Sequence, residues 1–255
     1  MLTYRLRRAL RASGWHLLGS VLVALLSGYL VFGIWYPYPY RELVGGRELF
    51  LIVVAVDVVC GPLLTLVLFN HLKSRRELTL DLCLVALIQL GALSYGLHTV
   101  AQARPVYLAF EVDRFRAVTY ADIQHEALKP EQGGLQSIGW GRPQVIGTRS
   151  PANGDEMLRS LELSLSGFDP SVRPDWWVPY AAVTEKVLRQ AKPVVELRNK
   201  KPNETHLIDA AIRDAKRDEN QLVWLPVTSF QSTGWVSFLD KSTAEILSFA
   251  PIDGF

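Results

Sequence analysis

The stretch LFLIVVAVDVVCGPLLTLVLF, residues 49–69, decides how the chain is read: it carries one charged side chain, Asp57, in twenty-one residues. At about 1.5 Å per residue, about 20 apolar residues in a helix cross about 30 Å of hydrocarbon. Two runs of the same kind flank it, WHLLGSVLVALLSGYLVFGIWY at 15–36 and LTLDLCLVALIQLGALSYGLHTV at 78–100. Hydrocarbon offers backbone groups no partner, so three closed transmembrane helices are predicted. The first run is longer than the apolar segment of roughly 7–15 residues in a secretory leader, and no small-x-small cleavage site follows it.

Basic residues orient the spans. Arg5, Arg7, Arg8 and Arg11 precede the first run, and Lys73, Arg75 and Arg76 lie between the second and third. Arg41 and Arg47, between the first and second, are offset by Glu42 and Glu48. The positive-inside rule then puts residues 1–14 and the loop at 70–77 in the cytoplasm, and the loop at 37–48 and residues 101–255 outside. Trp35, Tyr36, Tyr38 and Tyr40 suit an outer interfacial belt. The chain of 255 residues thus divides near 102–105 into a membrane part and an ordinary globular mixture. Residues 1–100 hold nine Lys/Arg against five Asp/Glu, and the rest hold eighteen against twenty. The outer part has no basic stretch to serve as a nucleic-acid footprint.

Counting from the cytoplasmic ends, Asp57 lies twelve residues into the second span and Gln89 eleven into the third, within about 2 Å of equal depth. Two readings of Asp57 stand side by side: a polar contact or proton site facing a partner, and a neutral acid pinned to Gln89. Thr65 and Asp81 are level nearer the cytoplasm, with Asp81 in reach of Arg75 or Lys73. Gly61–Pro62 follows Asp57, and Pro62 predicts a kink near Val58. Cys60 and Cys83 differ by about 6 Å in depth, which argues against a bridge. Small residues recur at helical spacing, Ser20, Ala24 and Gly28 on the first span and Ala92 and Gly96 on the third, as in closely packed membrane helices.

The outer part reads as α+β. A strand is expected at 106–112, with 116–120 either extending it or forming a second, then a short helix at 122–128 and a Gly-rich loop at 132–149. Helices are expected at 155–165, within 179–191, and at 205–218, the last capped by Asn203. A short strand is expected at 194–197. Three final strands, 221–228, 234–240 and 245–251, suggest an antiparallel meander. Catalytic and metal signatures are missing: no Walker loop, no GxSxG, no HExxH, no paired Cys motif, and no metal spacing among His98, His125 and His206. Trp140, Trp176 and Trp177 could line a surface or fill a core. Arg104, where the third span leaves the membrane, could meet lipid phosphates, and Asp113–Arg114 reads as a turn or surface pair.

WHLL at 15–18, WYPYPY at 35–40, VDVVCGPLLTL at 56–66, LDLCLVALIQLGALSYG at 80–96 and RPVYLAFEVDRF at 104–115 together resemble the type IV pilin accessory proteins of the TfpX/TfpZ kind, related to the fimbrial accessory protein FimB. The resemblance runs through roughly residues 5–116. Beyond that only the layout is similar, with a final WLPVTSF…GWVSFLD…EILSF region. It implies a multi-pass protein of the bacterial inner membrane with a periplasmic domain. It also implies a non-catalytic role in type IV pilus assembly and twitching motility, with a pilin subunit (the major pilin) as partner and no cofactor. The motif positions it singles out are Asp57, Gly61, Pro62, Asp81, Gln89, Arg104, Pro105, Asp113 and Arg114. Two rivals are an envelope enzyme modifying a glycan or lipid at the outer face, and a ligand-binding membrane sensor.

Overall fold

In the computed structural model, which describes residues 2–68, 73–129 and 134–255, the three apolar runs form long helices. Helix α1 spans Leu2–Leu30 and passes into a π-helical turn, Val31–Trp35. After a short α2, Tyr40–Leu43, come α3, Gly46–Leu68, and α4, Arg75–Gln102. All three are long and apolar enough to cross a membrane. Helix α4 starts at a capping box: Ser74 Oγ accepts from Glu77 N at 3.2 Å and Glu77 Oε2 from Ser74 N at 2.8 Å. Helix α3 is central and packs against both α1 and α4. Outward-facing side chains stay uncovered, with Leu25 66%, Val67 73% and Leu87 68% exposed, a surface that suits lipid and not water. Residues 69–72 and 130–133, which include the end of the second apolar run and parts of two expected loops, lie outside the described residues.

Among the described residues the rest of the chain builds one eight-stranded sheet. Its strands are β1 (Pro105–Glu111), β2 (Arg114–Thr119), β3 (Gln144–Thr148), β4 (Trp177–Pro179), β5 (Lys192–Pro193), β6 (Leu222–Thr228), β7 (Trp235–Asp240) and β8 (Ile246–Ala250). The order is β4-β3-β1-β2-β6-β7-β8, with β5 paired to β6. The expected meander is present as β6-β7-β8, but it is one end of a mixed sheet, since β1 pairs parallel with β3 and β2 parallel with β6. Helices α5 (Gly154–Leu165), α6 (Thr184–Gln190), α7 (Val194–Lys200) and α8 (Thr205–Ala215) complete the α+β fold.

Both faces of the sheet are covered, which explains why β6 is buried at every residue. Leu108, Phe115, Leu225 and Leu239 face the sheet-proximal ends of the long helices and join Val31, Tyr36, Leu43 and Val100 in one core. On the opposite face Trp224 and Phe238 pack on Ile208 and Ala211 of α8 and on Leu197 of α7. The aromatic run at 35–40 therefore serves as a joint and not as a belt. Trp35, Tyr36 and Tyr40 are buried, and only Tyr38 is exposed. Tyr36 Oη donates to Val100 O at 2.7 Å, Trp35 Nε1 to Trp140 O at 3.1 Å, and Tyr40 packs on Phe249.

Four local expectations change. The helix at 122–128 is two 3₁₀ turns, Tyr120–Asp122 and His125–Ala127. The Gly-rich loop contains β3, where Gly147 lets the strand lie against Val183: a Cβ there would sit 2.3 Å from Val183 Cγ2. The stretch 194–197 opens helix α7, because Val194 and Leu197 at i and i+3 both reach the core. Asn203 lies in a 3₁₀ turn, Pro202–Glu204, and Glu204 precedes α8 without a side-chain cap.

Candidate partner-binding groove between the long helices

The mid-helix polar groups meet at α3. Gln89 Nε2, on α4, donates to the Asp57 carbonyl at 2.9 Å and to Asp57 Oδ1 at 3.2 Å. Gly61 makes this possible, since a Cβ there would lie 2.1 Å from Gln89 Nε2. One residue on, Pro62 supplies no N–H to the carbonyl of Val58. On the α1 side Ser13 Oγ donates to Pro62 O at 2.8 Å, and His16 Nδ1 bonds Thr65 Oγ1 at 2.5 Å. Each outer helix is thus tied to the central one by side-chain hydrogen bonds. Such bonds are worth roughly 0.6–2 kcal/mol each between membrane helices.

Helices α1 and α4 do not close over this line. They leave a groove of about 230 Å³, with His16, Ser20 and Val23 on one wall, Gln89 and Leu93 on the other, and Asp57 between them. Gln89 Oε1 is buried and, among the described residues, has no hydrogen-bond partner. Asp57 and Gln89 thus place two polar side chains in the lining of an otherwise largely apolar groove, where a matched polar partner would gain most.

The other positions are distributed along the molecule. Ser20 is buried and Gly28 faces Phe50, where an added Cβ would lie 3.5 Å from the ring, with Ala24 half-buried between them. On α4 the packing face runs through Val85, Leu93, Gly96 and Val100. Gly96 abuts Val53, where a Cβ would come within 2.5 Å, and Ala92 is exposed. Asp81 pairs with Lys73. Cys60 and Cys83 are free and exposed.

Arg104 does not reach lipid. It is 2% exposed, its guanidinium lying 4.5 Å from the Tyr120 ring centroid and 4.3 Å from that of Trp140. It donates to Ala101 O at 2.7 Å and Gly139 O at 3.2 Å. Burial pulls its pKa below the usual arginine range. Because Pro105 begins β1, Arg104 clasps the point where α4 becomes sheet. Asp113 and Arg114 pair at 2.8 Å on the β1–β2 turn. Trp176 and Trp177 are core residues, and Trp140 is 64% exposed although it stacks on Arg104. Sequence reasoning missed Ser13 and His16. Their signal was present as polar residues at i and i+3 on the same α1 face as Ser20, but their partners on α3 depend on how the two helices are rotated.

A family model described as fimbrial assembly protein FimB matches residues 4–45. The fimbrial assembly protein of serogroup E1 from Dichelobacter nodosus is 33% identical over 248 residues, covering 97% of this chain and 96% of that protein. The chain belongs to the FimB family of fimbrial assembly proteins. The serogroup I protein of the same organism matches equally, at 33% over 248 residues. The protein of serogroups C1 and C2 is 43% identical over 115 residues, 45% of this chain and 88% of that protein. No solved structure matches. In this FimB-family chain the segment 4–45 carries one groove wall, with His16, Ser20 and Val23, and the joint residues Tyr36, Tyr40 and Leu43.

Proposed function

We propose that this fimbrial assembly protein is a non-catalytic helper in the bacterial inner membrane that holds a type IV pilin subunit before it enters the pilus. The N-terminus and the α3–α4 loop face the cytoplasm, and the sheet lies in the periplasm. A pilin awaiting assembly has the same orientation, with an apolar N-terminal helix in the membrane and its head outside. The groove between α1 and α4 receives that helix, and the sheet meets the head. The observation that carries the reading is the groove itself: apolar walls, small residues at Gly19 and Ser20, Asp57 and Gln89 in its lining, and a Gln89 Oε1 without a donor among the described residues.

The test substitutes Asp57 in the full chain and measures pilin co-purified from solubilised membranes. Asp57→Leu should lower recovered pilin about fivefold, the worth of roughly 1 kcal/mol, with the protein still accumulating and pili reduced. Asp57→Asn, which keeps an acceptor, should retain most of the pilin. Equal pilin recovery with all three chains would contradict the reading. Loss of the Leu variant from the membrane would assign Asp57 to pinning α3 and α4 alone.

A further inference from the structure

Helix α5 has an apolar face that none of the described residues covers. Met157, Leu158, Leu161 and Leu165 are 63%, 69%, 59% and 83% exposed, and Ser160 is its buried residue. The helix is held at one end by Asn153 Oδ1, which accepts from Glu156 N at 2.9 Å, and by Arg149, whose Nη2 reaches Glu156 Oε1 at 2.6 Å. Arg173 Nη2 reaches Ser160 Oγ from below. Met157, Ser160, Leu161 and Ser164, at helical spacing, form one wall of a cleft of about 440 Å³, a ligand-sized volume. The other wall is Phe110, Val112 and Trp176. The cleft opens at the carboxyl ends of the parallel pair β1 and β3, the position where crevices form in open sheets. It is separate from the groove at Asp57, with which it shares no lining residue.

Charge at the cleft selects an occupant. Arg149 is paired to Glu156, and Asp169 to Arg116. Glu111 accepts from Ser171 N at 2.8 Å, and burial pushes its pKa up, favouring the neutral form. Lys186 is different: its Nζ donates to Ser150 Oγ at 2.7 Å, and among the described residues no carboxylate pairs with it. The cleft therefore combines an apolar trough, hydroxyls at Ser150 and Ser164, and one lysine without a counter-ion. Hydroxyls along the trough match the amides and carbonyls of a polypeptide, whereas an acyl chain has none to offer them. The acidic side chains Asp155 and Glu162 on α5 make it a poor helix for an anionic lipid surface.

We propose that this cleft binds an extended apolar peptide segment ending in, or bearing, a carboxylate, with Lys186 as the counter-ion and the Met157–Leu161 face of α5 as the roof. The proposal goes beyond the pilin-helix reading and stands whether or not the Asp57 groove holds one.

The test uses the purified full chain in detergent and two probes, acetyl-Leu-Val-Phe with a free carboxyl end and the same peptide amidated, followed by calorimetric titration. The free acid should bind at least about tenfold tighter than the amide, as a charge-assisted contact adds to the apolar one. Lys186→Met should bring the acid down to the level of the amide. Leu161→Asp, at an exposed position, should weaken both peptides about tenfold with the melting temperature unchanged. Equal affinities for acid and amide in the unmodified chain, undiminished binding to Leu161→Asp, or no binding of either peptide would each overturn the proposal. None of these outcomes depends on pilin, so failure here is distinct from failure of the groove reading.

Discussion

Gln89 reaches from α4 over Gly61 to hold Asp57 twice on α3, through its carbonyl at 2.9 Å and its carboxyl at 3.2 Å. The glycine is the condition for this contact, because any side chain at position 61 collides with the amide. Asp57, Gly61 and Gln89 therefore act as one unit beside the break in hydrogen bonding that Pro62 imposes.

Gly61→Ala should expel Gln89 and destabilise the bundle by about 1–3 kcal/mol, the usual cost of overpacking, despite the better helix propensity of alanine. Gln89→Ala removes the obstacle, so the double variant should be more stable than the sum of the two single losses implies, by about 1 kcal/mol. Thermal unfolding in detergent of the four chains gives the coupling. Strict additivity would show that the two residues do not touch.

Arg104→Met should cost about 2–4 kcal/mol, since it strips the Ala101 and Gly139 carbonyls of a charged donor and unstacks Tyr120 and Trp140. Arg104→Lys should not rescue it, because an ammonium cannot stack between two rings and reach both carbonyls. Limited proteolysis around 139–142 reports the effect: cleavage should become much faster in both variants, with the long helices left intact.

The equal depth of Asp57 and Gln89 was legible because antiparallel helices joined by a short loop can be aligned by counting from their shared ends. What touches α3 from α1 was not legible, because Ser13 and His16 find Pro62 and Thr65 only through helix rotation, which residue spacing leaves open. The same limit explains Ala92: small-residue spacing marks a possible face, and Val53 under Gly96 decides which part is packed. In the sheet, β6, β7 and β8 announced themselves as strand-like runs with short separations. Strand β3 was hidden by its Gly and Pro neighbours, and VVEL at 194–197 has strand-like β-branching although Val194 and Leu197 share a helix face. The aromatic run at 35–40 looked like an interfacial belt because a residue that anchors at headgroups and one that packs on a sheet have the same chemistry.

Acid should loosen α5. Arg149 and the Ala152 amide hold the Glu156 carboxyl down to about 2 from an ordinary 4.5. A depressed folded-state pKa contributes stability above the unfolded value and loses it as pH falls, so the anchor weakens between about pH 4.5 and 2. Hydrogen exchange of the α5 amides should rise in that window relative to those of α8. Glu156→Gln should exchange fast already at pH 6 and lose this pH dependence.

Cys60 and Cys83 should not bridge. Both are free on the outer surface of their helices, and oxidation of isolated membranes with copper phenanthroline should leave the chain's mobility on a non-reducing gel unchanged. An intramolecular disulfide would require α3 and α4 to slide by about 6 Å, one helical turn or slightly more.

Photocrosslinking in intact cells reads whether the groove beside Asp57 holds a pilin's apolar helix. A benzophenone amino acid placed at Val23 or Leu93 faces the groove, and one at Leu87 faces away from the bundle. A pilin adduct, identified by mass spectrometry, is expected from Val23 and Leu93 and little from Leu87. Pilin adducts from Leu87 alone, or lipid adducts only at all three sites, would contradict it.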